Sequence, residues 1–250
     1  MTYLQDMKRI SSAIDLLIPR TCIVCGRRLL SAERHICLVC MAEMPQTYFW
    51  KRTHNPMSDR FNEVIQKHIE GAAGWEYYAF AAALFTYHGE APFKRIPYNI
   101  KYNGDVRAGE YFGRMLGSRL MREIHWQDAD IVIPVPLHWT RRFRRGYNQA
   151  EAIASGLASA MGIPVRADIL VRRKRTKTQT KLDIEGKARN VADAFIVKDN
   201  ALILKEWRHL IIVDDVFTTG STIGSCHKAL RKVLPMSVRI SAVTLAFVDR

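Results

Sequence analysis

Long hydrophobic runs are missing from this 250-residue sequence. No stretch approaches the ~20 apolar residues that a helix needs to cross a bilayer, so we expect no membrane insertion. The N-terminus lacks the basic start, continuous apolar stretch and small-residue cleavage site of a secretory signal. Acidic Asp6 and Asp15 interrupt an amphipathic pattern there instead. These absences predict a cytoplasmic protein.

Internal repeats and low-complexity segments are also missing, and 48% hydrophobic with 25% charged residues is typical of a globular chain. Acidic residues are the minority charge: 24 Asp and Glu stand against 38 Lys and Arg, a net charge of +14. Such a surplus attracts polyanions, which makes nucleic acid, nucleotides or anionic lipid candidate partners. Charge alone does not choose among them.

Predicted strands and helices alternate along most of the chain. Alternation of this kind indicates an α/β fold, a parallel sheet flanked on both faces by helices. The predicted strands are Trp75–Tyr87, Ile131–Pro136, Ile169–Val171, Ala194–Val197, Leu210–Val213 and Val238–Val248. The predicted helices are Met57–Glu70, Arg107–Ile124, Ala150–Met161 and Thr222–Val233.

The N-terminal part has a different composition. Apolar residues at helical spacing from Leu4 to Ile18 predict a helix that Pro19 ends, and four of the five cysteines follow it. The polar segment Lys51–Asp59 contains Asn55-Pro56 and is a candidate linker. We therefore predict an N-terminal helix and cysteine module over residues 1–56 and a main domain over 57–250.

An apolar strand, two carboxylates and a small-residue turn follow one another near the C-terminus. Asp214 and Asp215 come directly after the strand Leu210–Val213, where ligands of open α/β sheets bind, and paired carboxylates accept hydrogen bonds from ribose hydroxyls. The turn Thr218–Thr222 opens a helix whose N-terminus favours a phosphate, and Gly220 permits close approach. A helix cap or solvated turn would explain Asp-Asp alone. The whole combination of strand, Asp-Asp, Thr-Thr-Gly and helix is a more specific signal than Asp-Asp alone, and it predicts a ribose-5-phosphate site.

From Val213 to Gly220 the chain resembles the phosphoribosyl pyrophosphate (PRPP) motif of type I phosphoribosyltransferases. That resemblance implies their fold, Mg2+ bound with PRPP, and catalytic roles for Asp214 and Asp215. It also implies one run of PRPP-binding residues, namely Asp214, Asp215, Val216, Phe217, Thr218, Thr219, Gly220, Ser221 and Thr222.

Further segments resemble the ComF family of competence proteins. They are Ile100–Asp105, Pro134–His138, Arg145–Glu151, Thr178-Gln179 and Arg189–Val191. The resemblance implies a diphosphate loop at Leu137 and His138, a further PRPP contact from Lys101, and a mobile loop within Arg172–Asn190. The mobile-loop residues that would cover the diphosphate are Arg175, Lys177, Thr178 and Gln179.

Two basic segments flank the predicted site. One packs Arg141, Arg142, Arg144 and Arg145 into five positions, and the other is Val171–Lys181. Solvated surface is one interpretation. A diphosphate needs only some of these cations, and the excess favours single-stranded DNA crossing the same face, with Phe143, Tyr147 and Tyr102 offered for stacking. The same aromatic residues would also suit a core.

Four cysteines form two C-x-x-C pairs, Cys22 with Cys25 and Cys37 with Cys40. Four thiolates close a tetrahedral shell, so we predict structural Zn2+. Two disulfides are the competing interpretation, which a reducing cytoplasm disfavours. His35 is an alternative ligand, and the lone Cys226 is expected to pack in the core.

The family resemblance implies a role in natural transformation, acting on internalised single-stranded DNA, with a competence helicase or other DNA-processing proteins as partners. The implied chemistry is displacement of pyrophosphate at the ribose anomeric carbon. No residue stands out as a nucleophile or general base. A non-catalytic protein that senses PRPP or a nucleotide and binds single-stranded DNA therefore remains the alternative.

Overall fold

The computed structural model describes residues 19–69, 77–173, 194–198 and 207–248. The predicted N-terminal helix before Pro19 and the mobile-loop residues Arg175, Lys177, Thr178 and Gln179 lie outside these ranges. The strands are β1 Ala81–Thr86, β2 Ile131–Pro134, β3 Leu170–Arg172, β4 Phe195–Val197, β5 His209–Phe217 and β6 Arg239–Phe247. The α-helices are α1 Leu38–Ala42, α2 Pro56–Ile69, α3 Arg95–Tyr102, α4 Val106–Leu120, α5 Trp139–Arg145, α6 Gln149–Met161 and α7 Ser221–Arg231.

Four strands form one parallel sheet in the order β1-β6-β5-β2. The short strands β3 and β4 pair antiparallel in a separate two-stranded sheet. The parallel sheet with flanking helices confirms the predicted α/β class. Because all four strands run the same way, their carboxyl ends share one edge, and that edge carries the site.

Successive residues of β5 enter two different cores, since side chains alternate across a strand. Ile211 and Val213 join the cluster beneath α4, α6 and the cysteine module. Leu210 and Ile212 join the opposite cluster beneath α2, α7 and the β3-β4 pair. The sheet is therefore buried on both faces, which explains why its strands read as continuous apolar runs.

The cysteine module, residues 20–44, packs on the first of these cores. Cys22 and Cys37 belong to the same apolar cluster as Leu84 and Phe85 of β1. In the segment proposed as a linker, the buried Asn55 donates a hydrogen bond of 2.9 Å to the Ala81 carbonyl. This segment packs against the sheet and is not a free connection, and the boundary near residue 56 stays a prediction.

Helices α4 and α6 touch backbone to backbone through glycines. A Cβ added to Gly113 would lie 2.2 Å from the Ile153 carbonyl oxygen, and one added to Gly156 would lie 2.0 Å from the Glu110 oxygen. Both distances are far below van der Waals contact. These positions require glycine because the helices could not otherwise approach so closely.

The structure differs from the sequence predictions in two ways that affect the site: one strand is longer, and two helices were not predicted. Strand β5 does not stop at Val213 but continues to Phe217, because β6 pairs with it as far as Phe247. Helices α3 and α5 were not predicted as helices from the sequence, although both carry candidate site residues. None of the described helices is long and apolar enough to span a membrane.

Candidate functional site

Two adjacent carboxylates occupy the carboxyl-terminal part of β5. Asp214 Oδ1 accepts the Asp215 backbone N–H at 2.8 Å, and Asp215 Oδ1 accepts the Val216 N–H at 3.1 Å. Asp215 is only 5% exposed, and its second oxygen, Oδ2, is buried without a hydrogen-bond partner among the described residues. Buried carboxylate oxygens normally have a partner, and a hydrogen-bond donor or a cation from a ligand would supply one here.

The electrostatics of this pair are unfavourable in isolation. Burial, and then the charge of Asp215, raise the pKa of Asp214 well above its ordinary value. The charge of Lys101 acts in the opposite direction. Its Nζ lies 3.7 Å from Asp215 Oδ2, so a residue of helix α3 supplies the nearest described compensation. A bound cation or hydroxyl donors would relieve the remaining repulsion.

The predicted phosphate loop lines an open cleft with about 220 Å³ of empty space beside Asp214. Gly220 has a left-handed backbone, with φ of 76°, and α7 begins directly after it without a side-chain cap. The hydroxyl oxygens of Thr219 and Ser221 lie 2.9 Å apart at the mouth. First-turn amides of α7 and these hydroxyls form a donor set suited to a phosphate. Also lining the cleft are Val216, Phe217, Thr218, Thr222 and Ile223.

Phe217 holds the loop in place from beneath. Its ring is buried and meets Phe61 edge-on at 6.4 Å. A Cβ at Gly220 would come within 2.7 Å of this ring. Only the Phe217 backbone is therefore available to a ligand, and the residue acts chiefly as the floor on which the loop turns.

Arg60 is a loop contact that the sequence did not reveal. From α2 its guanidinium donates to the carbonyl oxygens of Thr218 at 3.2 Å and Val248 at 3.4 Å, and it lies over the Phe247 ring. Sequence alone offered no signal, because 158 residues separate Arg60 from Thr218. Arg60 fixes the start of the phosphate loop.

The segment predicted as a diphosphate loop lies at the same sheet edge. Leu137 and His138 follow β2, whose parallel pairing with β5 places their loop beside the end of that strand. His138 is buried and caps α5, its Nδ1 lying 2.9 Å from Thr140 Oγ1. The imidazole is thus engaged in the fold, whereas Leu137 is half-buried.

Arg172, at the end of β3, is a half-buried cation whose charge interacts with that of Asp214. Burial, and then the charge of Arg141, lower its pKa, while Cys226 and Asp214 oppose that shift. Its guanidinium packs 5.2 Å from the centre of the Phe195 ring. Arg172, from the second basic segment, therefore interacts electrostatically with Asp214. Arg172 was recognised in the sequence only as part of a basic run.

The arginines of the basic helix α5 differ in their contacts and in their exposure to solvent. Arg142 forms two hydrogen bonds to Glu151, of 2.7 and 3.3 Å. The Arg145 guanidinium lies 5.2 Å from the centre of the Tyr102 ring, and Arg144 is exposed. The arginines of α5 therefore divide between anchoring the helix and facing solvent.

Exposed aromatic residues accompany these arginines. Trp139 is 71% and Phe143 89% exposed, and their spacing of four places them on one face of α5. Tyr102 is also exposed, whereas the Tyr147 hydroxyl donates to the Ile100 carbonyl at 2.6 Å. Of the residues offered for stacking, Phe143 and Tyr102 are available, Tyr147 serves the fold, and Trp139 was missed. We call Trp139, Arg141, Arg142, Phe143, Arg144 and Arg145 the α5 surface.

The four cysteines of the module converge on one point. The sulfurs of Cys22, Cys25, Cys37 and Cys40 all lie within 4.8 Å of one another, a set that fits a tetrahedral metal site. Burial raises the pKa of Cys22, but backbone donors outweigh it and lower that pKa to about 7. Cys22 is thereby shifted toward the thiolate that binds metal, whereas burial raises the pKa of Cys40.

The geometry of this module bears on a histidine ligand and on disulfides, the two alternatives to four zinc-binding cysteines. His35 is not needed for the four-sulfur set, since its Nδ1 instead lies 3.3 Å from Asp105 Oδ2. The cysteines are free thiols, with Cys25 Sγ and Cys37 Sγ 3.8 Å apart. Cys226 is fully buried in the core beneath α7, as predicted.

Comparison with known proteins gives this geometry a family context. The phosphoribosyl transferase domain family matches residues 144–247. Competence protein F of Haemophilus influenzae is 40% identical over 106 residues, covering 42% of this chain and 45% of that protein. DNA utilization protein YhgH of Salmonella typhimurium is 28% identical over 142 residues, 56% of this chain and 61% of that protein. The chain thus spans about half the length of these relatives.

Among solved structures, adenine phosphoribosyltransferase from Saccharomyces cerevisiae aligns with 74% of this chain and 89% of its own, at 13% identity and a TM-score of 0.35. The domain match covers β5, the phosphate loop, α7 and β6. Together with the named relatives it confirms the predicted resemblance to the ComF family of competence proteins.

Proposed function

We propose that this protein binds PRPP together with Mg2+ in the cleft beside Asp214. The observation that carries the proposal is the cleft of hydroxyls and helix amides beside Asp214, whose neighbour Asp215 has a buried Oδ2 without a hydrogen-bond partner among the described residues. Two carboxylates and a phosphate loop at one strand end match the two halves of a ribose-5-phosphate.

Each part of the ligand has a complementary group. The 5-phosphate is assigned to Thr218–Thr222 and the ribose hydroxyls to Asp214 and Asp215, whose carboxylates would also hold Mg2+ with the ligand oxygens. Mg2+ when bound supplies positive charge for the diphosphate. Lys101, Arg172 and the loop at Leu137 and His138 are the described groups positioned to balance the rest of that charge.

If the sugar is transferred, the bond from the anomeric carbon to diphosphate breaks and an acceptor bonds to that carbon. Positive charge builds on the ribose ring, and the preorganised charges of Asp214 and Asp215 would stabilise it. The competing non-catalytic function makes the same complex without turnover. Release of pyrophosphate from PRPP with bases, amines or single-stranded DNA as acceptors separates the two.

Calorimetry with PRPP and Mg2+ tests the central proposal. Wild type should bind, and Asp215→Asn should weaken binding by at least roughly tenfold, because a charge-assisted contact contributes about 1.5–3 kcal/mol. Asp168→Asn is the matched control, since Asp168 pairs with Arg166 on the surface. Absence of binding to wild type would remove the proposal.

A second function, handling of single-stranded DNA, is favoured by the α5 surface. Exposed Trp139 and Phe143 alternate with arginines there, the combination that binds bases by stacking and phosphates by charge. The names of the two relatives, Competence protein F and DNA utilization protein, support a role on DNA taken up during transformation. A competence helicase or other DNA-processing protein would then act with it in the cytoplasm.

Fluorescence anisotropy with single-stranded oligonucleotides tests this function. Affinity should fall steeply with salt, and Trp139→Ala with Phe143→Ala should weaken it by about 1–3 kcal/mol per stacked base. Ile124→Ala is the control, as Ile124 is equally exposed but lies at the other end of the sheet from α5. Unchanged binding after neutralising Arg141, Arg142, Arg144 and Arg145 would exclude this surface.

For the cysteine module we propose structural Zn2+. Four convergent sulfurs leave no position open for chemistry, which favours a structural over a catalytic ion. Metal analysis of protein purified under reducing conditions should give one Zn2+ per chain. Its loss in Cys25→Ser is expected, and a wild-type protein free of metal would defeat the assignment.

A further inference from the structure

Helix α3 presents Lys101 to the acidic pair from its last turn. The Nζ of Lys101 is 3.7 Å from Asp215 Oδ2, and 5.9 Å from the centre of the neighbouring Tyr102 ring. Lysine side chains are flexible and lose much rotamer freedom when fixed. Where the α3 backbone sits therefore decides whether this ammonium reaches the site.

The cysteine module holds the start of α3. Arg95, the first residue of the helix, donates from Nη1 to the Val24 carbonyl at 2.8 Å. Val24 lies between Cys22 and Cys25, inside the first C-x-x-C pair, and is itself buried. A shift of that pair would act directly on Arg95.

The module also holds the segment that follows α3. His35 Nδ1 lies 3.3 Å from Asp105 Oδ2, and the other Asp105 oxygen caps α4 by accepting the Ala108 N–H at 3.0 Å. The His35 carbonyl in turn accepts the Ile23 N–H at 2.9 Å, which links the contact back to the first cysteine pair. Asp105 lies four positions after Lys101, so the start of α3 and the segment directly after it are both tied to one module.

We propose that the cysteine module positions Lys101, with Arg95 and Asp105 as the positioning residues, so that metal loading of the module raises affinity for PRPP. The inference rests on the proposed function. Without its metal the first cysteine pair is no longer fixed, both ties loosen, and Lys101 leaves Asp215. The uncompensated carboxylates then repel the anionic ligand.

A double-mutant cycle tests whether the ties act through Lys101. Arg95→Met and Asp105→Asn should each weaken PRPP binding by roughly three- to tenfold, a coupling typical of contacting residues. Asparagine retains the cap of α4, which keeps that helix intact. In a Lys101→Met background neither change should weaken binding further. Arg114→Met is the control, since Arg114 makes one surface hydrogen bond, to Ser159.

A second measurement needs no ligand. Reductive methylation followed by mass spectrometry should label Lys101 slowly in zinc-loaded wild type and several-fold faster in Arg95→Met, Asp105→Asn and Cys25→Ser. Equal labelling in all proteins, or equal losses of PRPP affinity with and without Lys101, would overturn the inference. Failure of wild type to bind PRPP while labelling follows the expected order would overturn the proposed function and leave the positioning established.

Discussion

Gly220→Ala gives a sharp test of how the phosphate loop is built, because two separate penalties meet at this residue. Its φ of 76° is left-handed, and a Cβ there would come within 2.7 Å of the Phe217 ring. Gly162, after α6, has a φ of 70° but nothing within 4 Å of its Cβ position. Gly162→Ala therefore isolates the backbone penalty from the steric one.

The expected magnitudes follow from these two terms. Left-handed backbone costs an L-residue about 1–2 kcal/mol, and both variants bear this cost. The stabilising loss of unfolded-state freedom, ~0.4–1 kcal/mol, is also common to both. Overpacking against the Phe217 ring adds about 1–3 kcal/mol only at Gly220, because that ring is already fixed by Phe61.

Urea unfolding and calorimetric titration with PRPP and Mg2+ measure the two consequences. Gly220→Ala should lose about 1–3 kcal/mol more unfolding free energy than Gly162→Ala, a further fall in Tm of at least ~2 °C for a chain of this size. Only Gly220→Ala should also lose PRPP affinity, since the added methyl displaces the loop. Equal destabilisation by the two variants would refute the steric argument.

Three other substitutions carry clear expectations. Asp214→Asn should stabilise the ligand-free protein at pH values above the raised folded-state pKa of Asp214. This advantage should vanish as the pH falls below the ordinary aspartate pKa of about 3.9. Urea unfolding across this pH range measures the difference in unfolding free energy. Gly156→Ala should prevent normal packing of α4 on α6, measured as loss of folded protein by circular dichroism, because its Cβ would overlap the Glu110 carbonyl. Arg60→Met should weaken PRPP binding with a stability loss of about 1–3 kcal/mol, since the hydrogen bonds to Thr218 and Val248 are lost.

The strands of the sheet could be predicted from the sequence because each corresponds to a short apolar run of consecutive residues. Apolar runs as short as Leu210–Val213 favour a strand buried on both faces, and glycine at 162 ends α6 as expected. The convergence of the cysteines was equally local, since two C-x-x-C pairs need little beyond a turn at each. The phosphate loop was predicted from its ordered combination of Asp-Asp and Thr-Thr-Gly, and its ligand stays a prediction.

The features that could not be predicted depend on contacts between residues far apart in the sequence. Helix α5 could not be predicted because four arginines in five positions have no apolar periodicity, and its contacts with Glu151 and the Tyr102 ring are made with other elements. Arg60 reaches the phosphate loop across 158 residues, a relation that no spacing encodes. The pairing of Lys101 with Asp215 likewise depends on how helix α3 and the cysteine module pack against the sheet that contains β5.

The acidic pair itself is easier to explain by a ligand than by the fold. A strand core gains nothing from Asp214, whose burial beside Asp215 favours its neutral form, and valine in its place would suit a paired strand better. Lys101 and Arg172 balance the pair incompletely, since one buried carboxylate oxygen still has no hydrogen-bond partner among the described residues. Groups that oppose folding in this way cluster where a ligand supplies the missing interactions. Binding that neutralises the pair must also stabilise the fold, so ligand affinity and thermal stability should rise together in this protein.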